Sequence, residues 1–458
     1  MSQIKNICIV GGGSAGWLTL SYLSAVFPLI QFTIIEPNDK SAIGVGESTT
    51  PQFGRLLDFL EKTDPKFSKQ ELLDYCNYVN KSGVLFKNWG SIDKDWYHPI
   101  GTAGIDVQQT SDALETAESS SKFFYETISD NYKICVSENG TVDTNSYHVE
   151  ALLLADFLRN YSIAKDNVTR IESTVVDVTK DSTLDKITSI ELENKQSITA
   201  DLFIDCTGFQ RRLFDKSSYV KFKDLLCNSA WATHIPIEAA HDKHLHSYTV
   251  AHAMPHGWIW EIRLQGSIGT GYVFSDKHVS ADEARDEFEH FWKERSSITE
   301  LAEETKLLKF QSGILSKVGG FNYVALGLSL GFIEPLEATG IQSFIIGAQT
   351  IAMISEQATV WDRESTTIYQ RHMHNFLRIV NYFIKYHYCA SDRCDTEFWR
   401  EYQASYKEHE IEKITQIIVD EIKNDYTYNS LAIWVMMFDS FARLRPYSKL
   451  LVSAATKV

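Results

Sequence analysis

An apolar run that opens directly into glycines constrains this chain more than any other stretch: Ile7-Cys8-Ile9-Val10-Gly11-Gly12-Gly13-Ser14-Ala15-Gly16-Trp17. The pattern predicts a buried strand, a tight turn and a helix. Gly11 is expected to make the turn, Gly13 to let the backbone approach a pyrophosphate, and Gly16 to let the helix lie close on its strand. The N–H groups that open the helix, at Ser14, Ala15 and Gly16, would then face an anion. Apolar residues at Trp17, Leu18, Leu20, Leu23 and Val26 keep helical spacing as far as Phe27, and Pro28 ends the run. Leu29 to Ile35 returns as a second apolar strand and closes in Glu36, an acid about 20 positions beyond the glycines, where a ribose hydroxyl would be bonded. Strand, turn, helix, strand and acid in this order predict a dinucleotide cradle without specifying the dinucleotide.

The 458 residues suffice for a large core, in several domains or in two joined lobes. A formal charge of −16 argues against nucleic acid or an anionic membrane as the main partner, because both require a basic face. No apolar run reaches the length of a membrane helix, and the N-terminal residues read as a core strand rather than a signal peptide, so a cytoplasmic location is expected. Seven cysteines, an odd number spread along the chain, fit reduced thiols.

Downstream of Glu36, the loop Gly44-Val45-Gly46-Glu47-Ser48 can lie flat along a planar ligand. Residues 52 to 80 read as helical, and Gly83 to Trp89 as a strand, with Lys81 at its entry. The stretch Trp96 to Tyr132, which begins Trp96-Tyr97-His98-Pro99-Ile100, reads as polar and irregular with helical pieces, a candidate substrate wall. Tyr147-His148-Val149-Glu150, followed by Ala151 to Ile163, reads as a helix, and Val168 to Glu193 as strands alternating with turns. Ala200 to Gly208, with Asp205 near its end, repeats the logic of a buried strand closing in glycine. Trp258, Trp260 and Ile262 share one face of a strand whose hairpin partner is Gly269 to Phe274. Residues 280 to 295 suit an amphipathic helix, and Phe321 to Leu330 another buried strand.

A second chemical centre lies in Pro335-Leu336-Glu337-Ala338-Thr339-Gly340-Ile341, which leads into a long apolar helix. Backbone N–H groups near Thr339 and Gly340 would face an anion there; a plain helix start capped by Thr339 is the alternative. Helical patterns dominate from residue 343 through 386 and again from 397 to 444. His387, Cys389 and Cys394, with His372 and His374, lack the spacing of zinc hooks, so no metal is expected. No nucleophile elbow is present.

Taken together, these stretches resemble the flavin-dependent tryptophan halogenase family. The resemblance runs through the cradle Gly11 to Trp17, the strap Gly44 to Ser48, Lys81 ahead of Val84 and Trp89, His98-Pro99, Asp201 to Gly208, the paired Trp258 and Trp260, Pro335 to Ile341, and His387-Tyr388 with Arg393, Asp395, Phe398 and Trp399. It implies an α/β fold: an FAD-binding two-dinucleotide-fold lobe related to aromatic hydroxylases over 1–345, with a substrate-wall insertion at about 90–140, and a mainly helical lobe over 346–458. FAD contacts are implied for Gly11, Gly13, Ser14, Ala15, Gly16, Glu36, Val45, Gly46, Glu47, Asp205, Gly327 and Ile341. In the family, reduced FAD, oxygen and a halide give hypohalous acid, which travels past the tryptophans to a lysine. By this resemblance Lys81 is that lysine, Glu337 the carboxylate that works with it and removes the ring proton, and Thr339 and Gly340 the halide-binding positions. Trp258 and Trp260 form the tunnel wall, and His98 and Ile100 border the substrate. A separate flavin reductase is the implied partner; a homo-oligomer is left open, as is the choice among chloride, bromide and iodide.

The chain departs from the family pattern at four places. Arg263 stands where the paired-tryptophan motif ends in proline, Asn80 where an aromatic precedes the lysine, Ile100 where an aromatic stacks on the substrate, and Leu328 in place of a polar residue after Gly327. These changes point to an electron-rich indole or phenol other than free tryptophan. A flavin-dependent aromatic monooxygenase and a non-catalytic flavin-binding protein share the cradle and stay open at this level.

Overall fold

The computed structural model describes residues 4–38, 46–91, 94–99, 104–106, 123–129, 132–137, 145–358 and 360–405. The chain forms two compact units, each drawn from three separated stretches: Met1–Tyr78, Val149–Lys223 and Gln311–Arg378 make the first, Val79–His148, Asp224–Phe310 and Ile379–Val458 the second. Of the helical residues beyond 345, those to 378 thus belong to the first unit and those from 379 to 405 to the second.

The first unit is built on a five-stranded parallel sheet in the order Val168–Glu172, Gln31–Glu36, Asn6–Val10, Leu202–Asp205, Tyr323–Ala325. Asn6–Val10 is central and nearly continuous in apolar residues because both faces of it are covered. Cys8 and Val10 pack with Ile35, Phe203 and Tyr323 against Val175, Ile187, Ile190 and Leu192 of an antiparallel meander. Ile7 and Ile9 point the other way, toward the side taken by the helix Ser14–Val26. That helix packs in turn beside Ala151–Ile163 and Thr339–Gln357. The expected second dinucleotide-type strand is Leu202–Asp205, beside the first in register. Residues 52 to 80 are not one helical run: Pro51–Thr63 and Lys69–Tyr75 are helices, and Val79–Asn80 is already a strand. Asp64 and Pro65 intervene, and a residue before proline is driven out of the helical region. The expected strand over 321 to 330 is confined to Tyr323–Ala325, because Gly327 takes φ +68° and turns the chain into a short 3-10 segment.

The second unit carries a seven-stranded sheet in the order Lys306–Lys309, Ser229–Pro236, Ser267–Phe274, Gly257–Arg263, Tyr248–Met254, Gly83–Ser91, Lys94–Pro99. All neighbours are antiparallel except Tyr248–Met254 with Gly83–Ser91. One face is packed by the helix Ala281–Lys293, whose Phe288, Phe291 and Trp292 meet Trp231, Ile259, Tyr272 and Phe274. Ser280 and Glu283 close a capping box at its start. The described parts of Trp96 to Tyr132 are strands, Lys94–Pro99, Gly104–Asp106 and Phe123–Ser129, rather than helical pieces. Their aromatic and β-branched residues favour extended backbone once a neighbouring strand offers hydrogen bonds. Among the described residues no helix is long and apolar enough to cross a membrane.

Candidate active site

In the first unit the glycines do three different jobs. Gly11 takes φ +110°, and a Cβ there would lie 2.4 Å from the Cys206 carbonyl oxygen. A Cβ on Gly16 would sit 1.9 Å from the Gly11 oxygen, so glycine is what lets the helix start this close to its strand. A Cβ on Gly13, by contrast, would meet nothing within 4 Å. Gly13 is the N-cap of Ser14–Val26, with no side-chain cap and no acid in the first turn, so the helix presents its opening N–H groups to this open space. Uncapped N–H groups beside open space fit the pyrophosphate of a dinucleotide. Gly12, which sequence reasoning passed over, is needed for a different reason: its Cβ would fall 1.7 Å from Glu36 Oε2. Glu36 is buried; its Oε2 accepts from the Trp17 indole N–H at 3.1 Å and its Oε1 from Arg170 Nε at 2.5 Å.

Asp205, fully buried, is spent on the fold around the cradle. Its Oδ1 accepts from the Thr207 N–H, the Thr207 hydroxyl and the Ser329 hydroxyl, and its Oδ2 from the Leu213 N–H, at 2.7–2.9 Å. Gly327 lies where a Cβ would be 2.9 Å from Ala15 Cβ, which brings the Gly327–Ser329 turn to the start of the cradle helix. Of the strap, Gly46 is buried with φ +78°, and Glu47 is half-buried; burial pushes its carboxyl up to about 7. Val45 lies outside the described residues. Glu337 and Thr339 are buried, Gly340 is exposed, and Ile341 is packed into the first turn of Thr339–Gln357. The N-cap is Ala338, in the left-handed region at φ +56°, and no side chain caps the helix, so Thr339 does not act as the cap.

Lys81 and the tryptophan pair belong to the second unit. Lys81 is fully buried, and its N–H donates to the Ser146 carbonyl at 2.9 Å. The chain opposite it is the other edge of a short antiparallel pairing, Tyr147 against Asn80 and His148 against Val79. His148, also fully buried, was not singled out from the sequence, which reads Tyr147 to Glu150 as the start of the following helix; Tyr147–Val149 is instead a strand, held extended by its pairing with Val79–Asn80, and the helix begins at Ala151. Its Nδ1 faces the Arg263 carbonyl at 3.2 Å and must donate; its Nε2, facing the Thr249 hydroxyl at 2.8 Å, then accepts. Burial, and after it the Lys81 charge, hold its pKa down to about 3, so the ring is neutral.

Register puts Thr249, the partner of His148, and the two tryptophans on one side of the sheet. Val250 opposes Glu261 and Ala251 opposes Trp260, so Thr249 points to the face that carries Trp258 and Trp260, away from the helix Ala281–Lys293. The two indoles are buried, with ring centroids 6.3 Å apart and planes tilted by 58°. His98 lies on the edge strand Lys94–Pro99, and Ile100 lies outside the described residues.

The late family-like residues build an aromatic cluster on this unit. Trp89 packs against Tyr388 and Trp399, Tyr388 stacks on Tyr402 at 4.2 Å, and Arg393 donates to the Ala253 carbonyl while pairing with Asp395. His387 bonds the Phe383 carbonyl at 2.9 Å, and among the described residues no group is placed to hold a metal ion. Cys8, Cys76, Cys206, Cys227, Cys389 and Cys394 are free thiols.

Comparison with known proteins agrees with this anatomy. Residues 6–439 match the tryptophan halogenase family. Tryptophan 7-halogenase RebH of Lentzea aerocolonigenes is 31% identical over 87% of this chain and 78% of its own. Tryptophan 6-halogenase SttH of Streptomyces toxytricini is 31% identical over 86% and 80%. The structure of Xcc4156, a flavin-dependent halogenase from Xanthomonas campestris, superposes with a TM-score of 0.74 at 25% identity, covering 91% of this chain and 84% of that one. With a family match over nearly its whole length, the chain belongs to the tryptophan halogenases, a family of flavin-dependent enzymes.

Proposed function

We propose that this enzyme halogenates an electron-rich small aromatic of the indole or phenol type, using a halide, dioxygen and reduced FAD delivered by a separate flavin reductase. The observation that carries the reading is Lys81, an ammonium wholly removed from water in the unit that buries Trp258 and Trp260. Burying a charge costs several kcal/mol, so a lysine kept dry is a candidate reactive group rather than a solubilising one.

The uncapped N–H groups of Ser14 to Gly16 would hold the cofactor, with Gly11, Glu36, Gly46, Glu47, Asp205, Gly327 and Ile341 around it. Reduced FAD, when bound, supplies the electrons that turn oxygen and halide into hypohalous acid. Backbone N–H groups at Thr339 and Gly340 hold the halide, a small anion suited to an uncapped helix start. Trp258 and Trp260 wall the arene off from the flavin while a small oxidant passes. Lys81 Nζ then presents the halogen, as a hydrogen-bonded hypohalous acid or as a haloamine. The ring carbon attacks the halogen: from hypohalous acid the carbon–halogen bond forms as the halogen–oxygen bond breaks and the oxygen leaves as water with the lysine's proton, and from the haloamine, whose formation has already released water, it forms as the nitrogen–halogen bond breaks and the lysine amine leaves. Glu337 takes the proton from the ring carbon, and return of a proton to Lys81 closes the cycle. Arg263, Asn80 and Ile100 turn the preference from free tryptophan to another arene.

The test is a screen with FAD, a flavin reductase, oxygen and each halide against a panel of indoles and phenols, read by mass spectrometry. Halogenated product is expected. Oxygenated product without halogen would make the enzyme a monooxygenase and end this reading.

A further inference from the structure

The Lys81 segment is gripped on both sides by hydrogen bonds that converge on Arg263. On one side, the Ser146 carbonyl accepts from the Lys81 N–H, and His148, two residues on, seats its Nδ1–H on the Arg263 carbonyl and its Nε2 on Thr249. On the other side, the Arg263 guanidinium donates to the carbonyls of Asp242 and His244, at 3.2 Å for the latter. Three residues beyond His244, the Ser247 carbonyl accepts both the N–H and the hydroxyl of Ser82, the residue after Lys81. The guanidinium is itself locked, at 2.7 and 2.6 Å, onto Glu261 Oε1, and the other oxygen of Glu261 faces His252 Nε2 at 3.1 Å. Proline, which the family pattern has at 263, could make none of these side-chain bonds.

We propose that Arg263, with His148 seated on its carbonyl, is a clamp that fixes where the Lys81 ammonium stands, making both of them positioning residues for halogen transfer. The proposal rests on the reading of Lys81 as the halogen-presenting group. A lysine side chain has four rotatable bonds, so its terminal nitrogen is only as well placed as the backbone on either side of it. A misplacement of about 1 Å at a reacting group costs on the order of a hundredfold in rate. The clamp holds residue 81 through Ser146 and residue 82 through Ser247, and ties both supports to one strand end. His148 suits the task because it is neutral: its Nδ1 proton is committed to a carbonyl and its Nε2 lone pair to a hydroxyl, so it adds no second cation beside the lysine.

The distinguishing readout is coupling, the ratio of halogenated arene to hypohalous acid that escapes and is caught by a β-diketone trap. Holoenzyme with FAD, flavin reductase, oxygen and bromide is assayed on indole, or on the best-used arene of the panel above, with His148→Leu, His148→Asn, Arg263→Lys and Lys81→Ala beside the wild type. His148→Leu and Arg263→Lys are expected to lower the ratio about tenfold or more, since oxidant is still made but no longer presented in register. His148→Asn, which keeps an N–H donor near the Nδ1 position, is expected to recover a good part of it. A merely structural role predicts that arene product and trapped oxidant fall together, with the ratio unchanged, and that result would overturn the clamp. If His148→Leu does not accumulate as folded protein, Thr249→Val decides by the same ratio. Lys81→Ala separates the two layers. Retained arene halogenation there defeats the lysine reading itself, whereas lost halogenation there with an unchanged ratio in the His148 and Arg263 variants defeats the clamp alone.

Discussion

The ring of Trp260 occupies the space that a side chain on Gly271 would need. The two residues oppose each other across the hairpin, and a Cβ on Gly271 would lie 2.1 Å from Trp260 Cη2 and 2.3 Å from the Trp231 carbonyl oxygen. The glycine is therefore what allows an indole at 260 to lie flat on its neighbouring strand. Gly271→Ala is expected to cost about 1–3 kcal/mol through overpacking and to push the ring off its seat. Chemical denaturation measures the first effect, and tryptophan fluorescence the second. A variant as stable as the wild type with an unchanged emission spectrum would contradict the packing described.

Gly12 and Gly13 separate fold from cofactor. Gly12→Ala drives a methyl into Glu36 and is expected to lower the melting temperature of the flavin-free protein. Gly13→Ala meets nothing in the folded chain, so its flavin-free melting temperature should stay with the wild type. Its methyl would instead stand in the space assigned to the pyrophosphate, and FAD affinity should fall about tenfold or more, a loss of roughly 1.4 kcal/mol. Titration of the apoprotein with FAD reads this directly, and unimpaired binding by Gly13→Ala would move the cofactor elsewhere.

Lys81→Ala is expected to abolish halogenation while FAD binding survives, because the lysine and the cradle lie in different units. Glu337→Gln keeps the shape and removes the base; loss of a positioned general base slows a reaction by about 10²–10⁴. Product formation and flavin binding, measured side by side, check both variants.

The buried Glu261 makes a stability prediction with a sign. Burial alone would raise its pKa, but the hydrogen bonds and charges of His252 and Arg263 outweigh it and hold the carboxyl down to about 2. A folded-state pKa below the unfolded value of 4.5 means that stability from this group is present above pH 4.5 and is lost as pH falls toward about 2. Glu261→Gln should therefore cost about 3–5 kcal/mol near neutral pH, where it strands a buried guanidinium. The gap between wild type and variant should narrow steadily as pH falls from about 4.5 toward 2 in urea unfolding. A gap independent of pH would mean that the carboxylate is not held as described.

What could be read before any coordinates was whatever local chemistry decides. The glycine turn, the Ala281–Lys293 helix and the Trp258–Trp260 strand follow from spacing and capping, and the structure has them there, whereas the helix read from Tyr147 onward begins only at Ala151. The strands within Trp96 to Tyr132 were missed although Lys94–Pro99 and Phe123–Ser129 each pair with a sequence neighbour, because their interspersed polar residues mask the alternation. Gly12 was missed because its constraint comes from a carboxylate that folds back from residue 36. His148 was missed for a related reason: a lone histidine among apolar residues acquires meaning only when Thr249 and Arg263 arrive from elsewhere in the chain. Arg263 was noticed as a departure, but its purpose lay in the carbonyls of 242 and 244, which no pattern in the strand announces.

The threefold interleaving of the chain reaches into its biosynthesis. The parallel sheet of the first unit needs Tyr323–Ala325, and its stretches run on to Arg378, while the second unit draws on residues later still. Neither can close before residue 325 has been made. A nascent chain of this design must therefore carry unsatisfied sheet edges for most of its synthesis, a slow, non-local folding problem that exposes it to aggregation. Cooler growth or added chaperone is the expected remedy for a poor soluble yield, and truncation at either end is not.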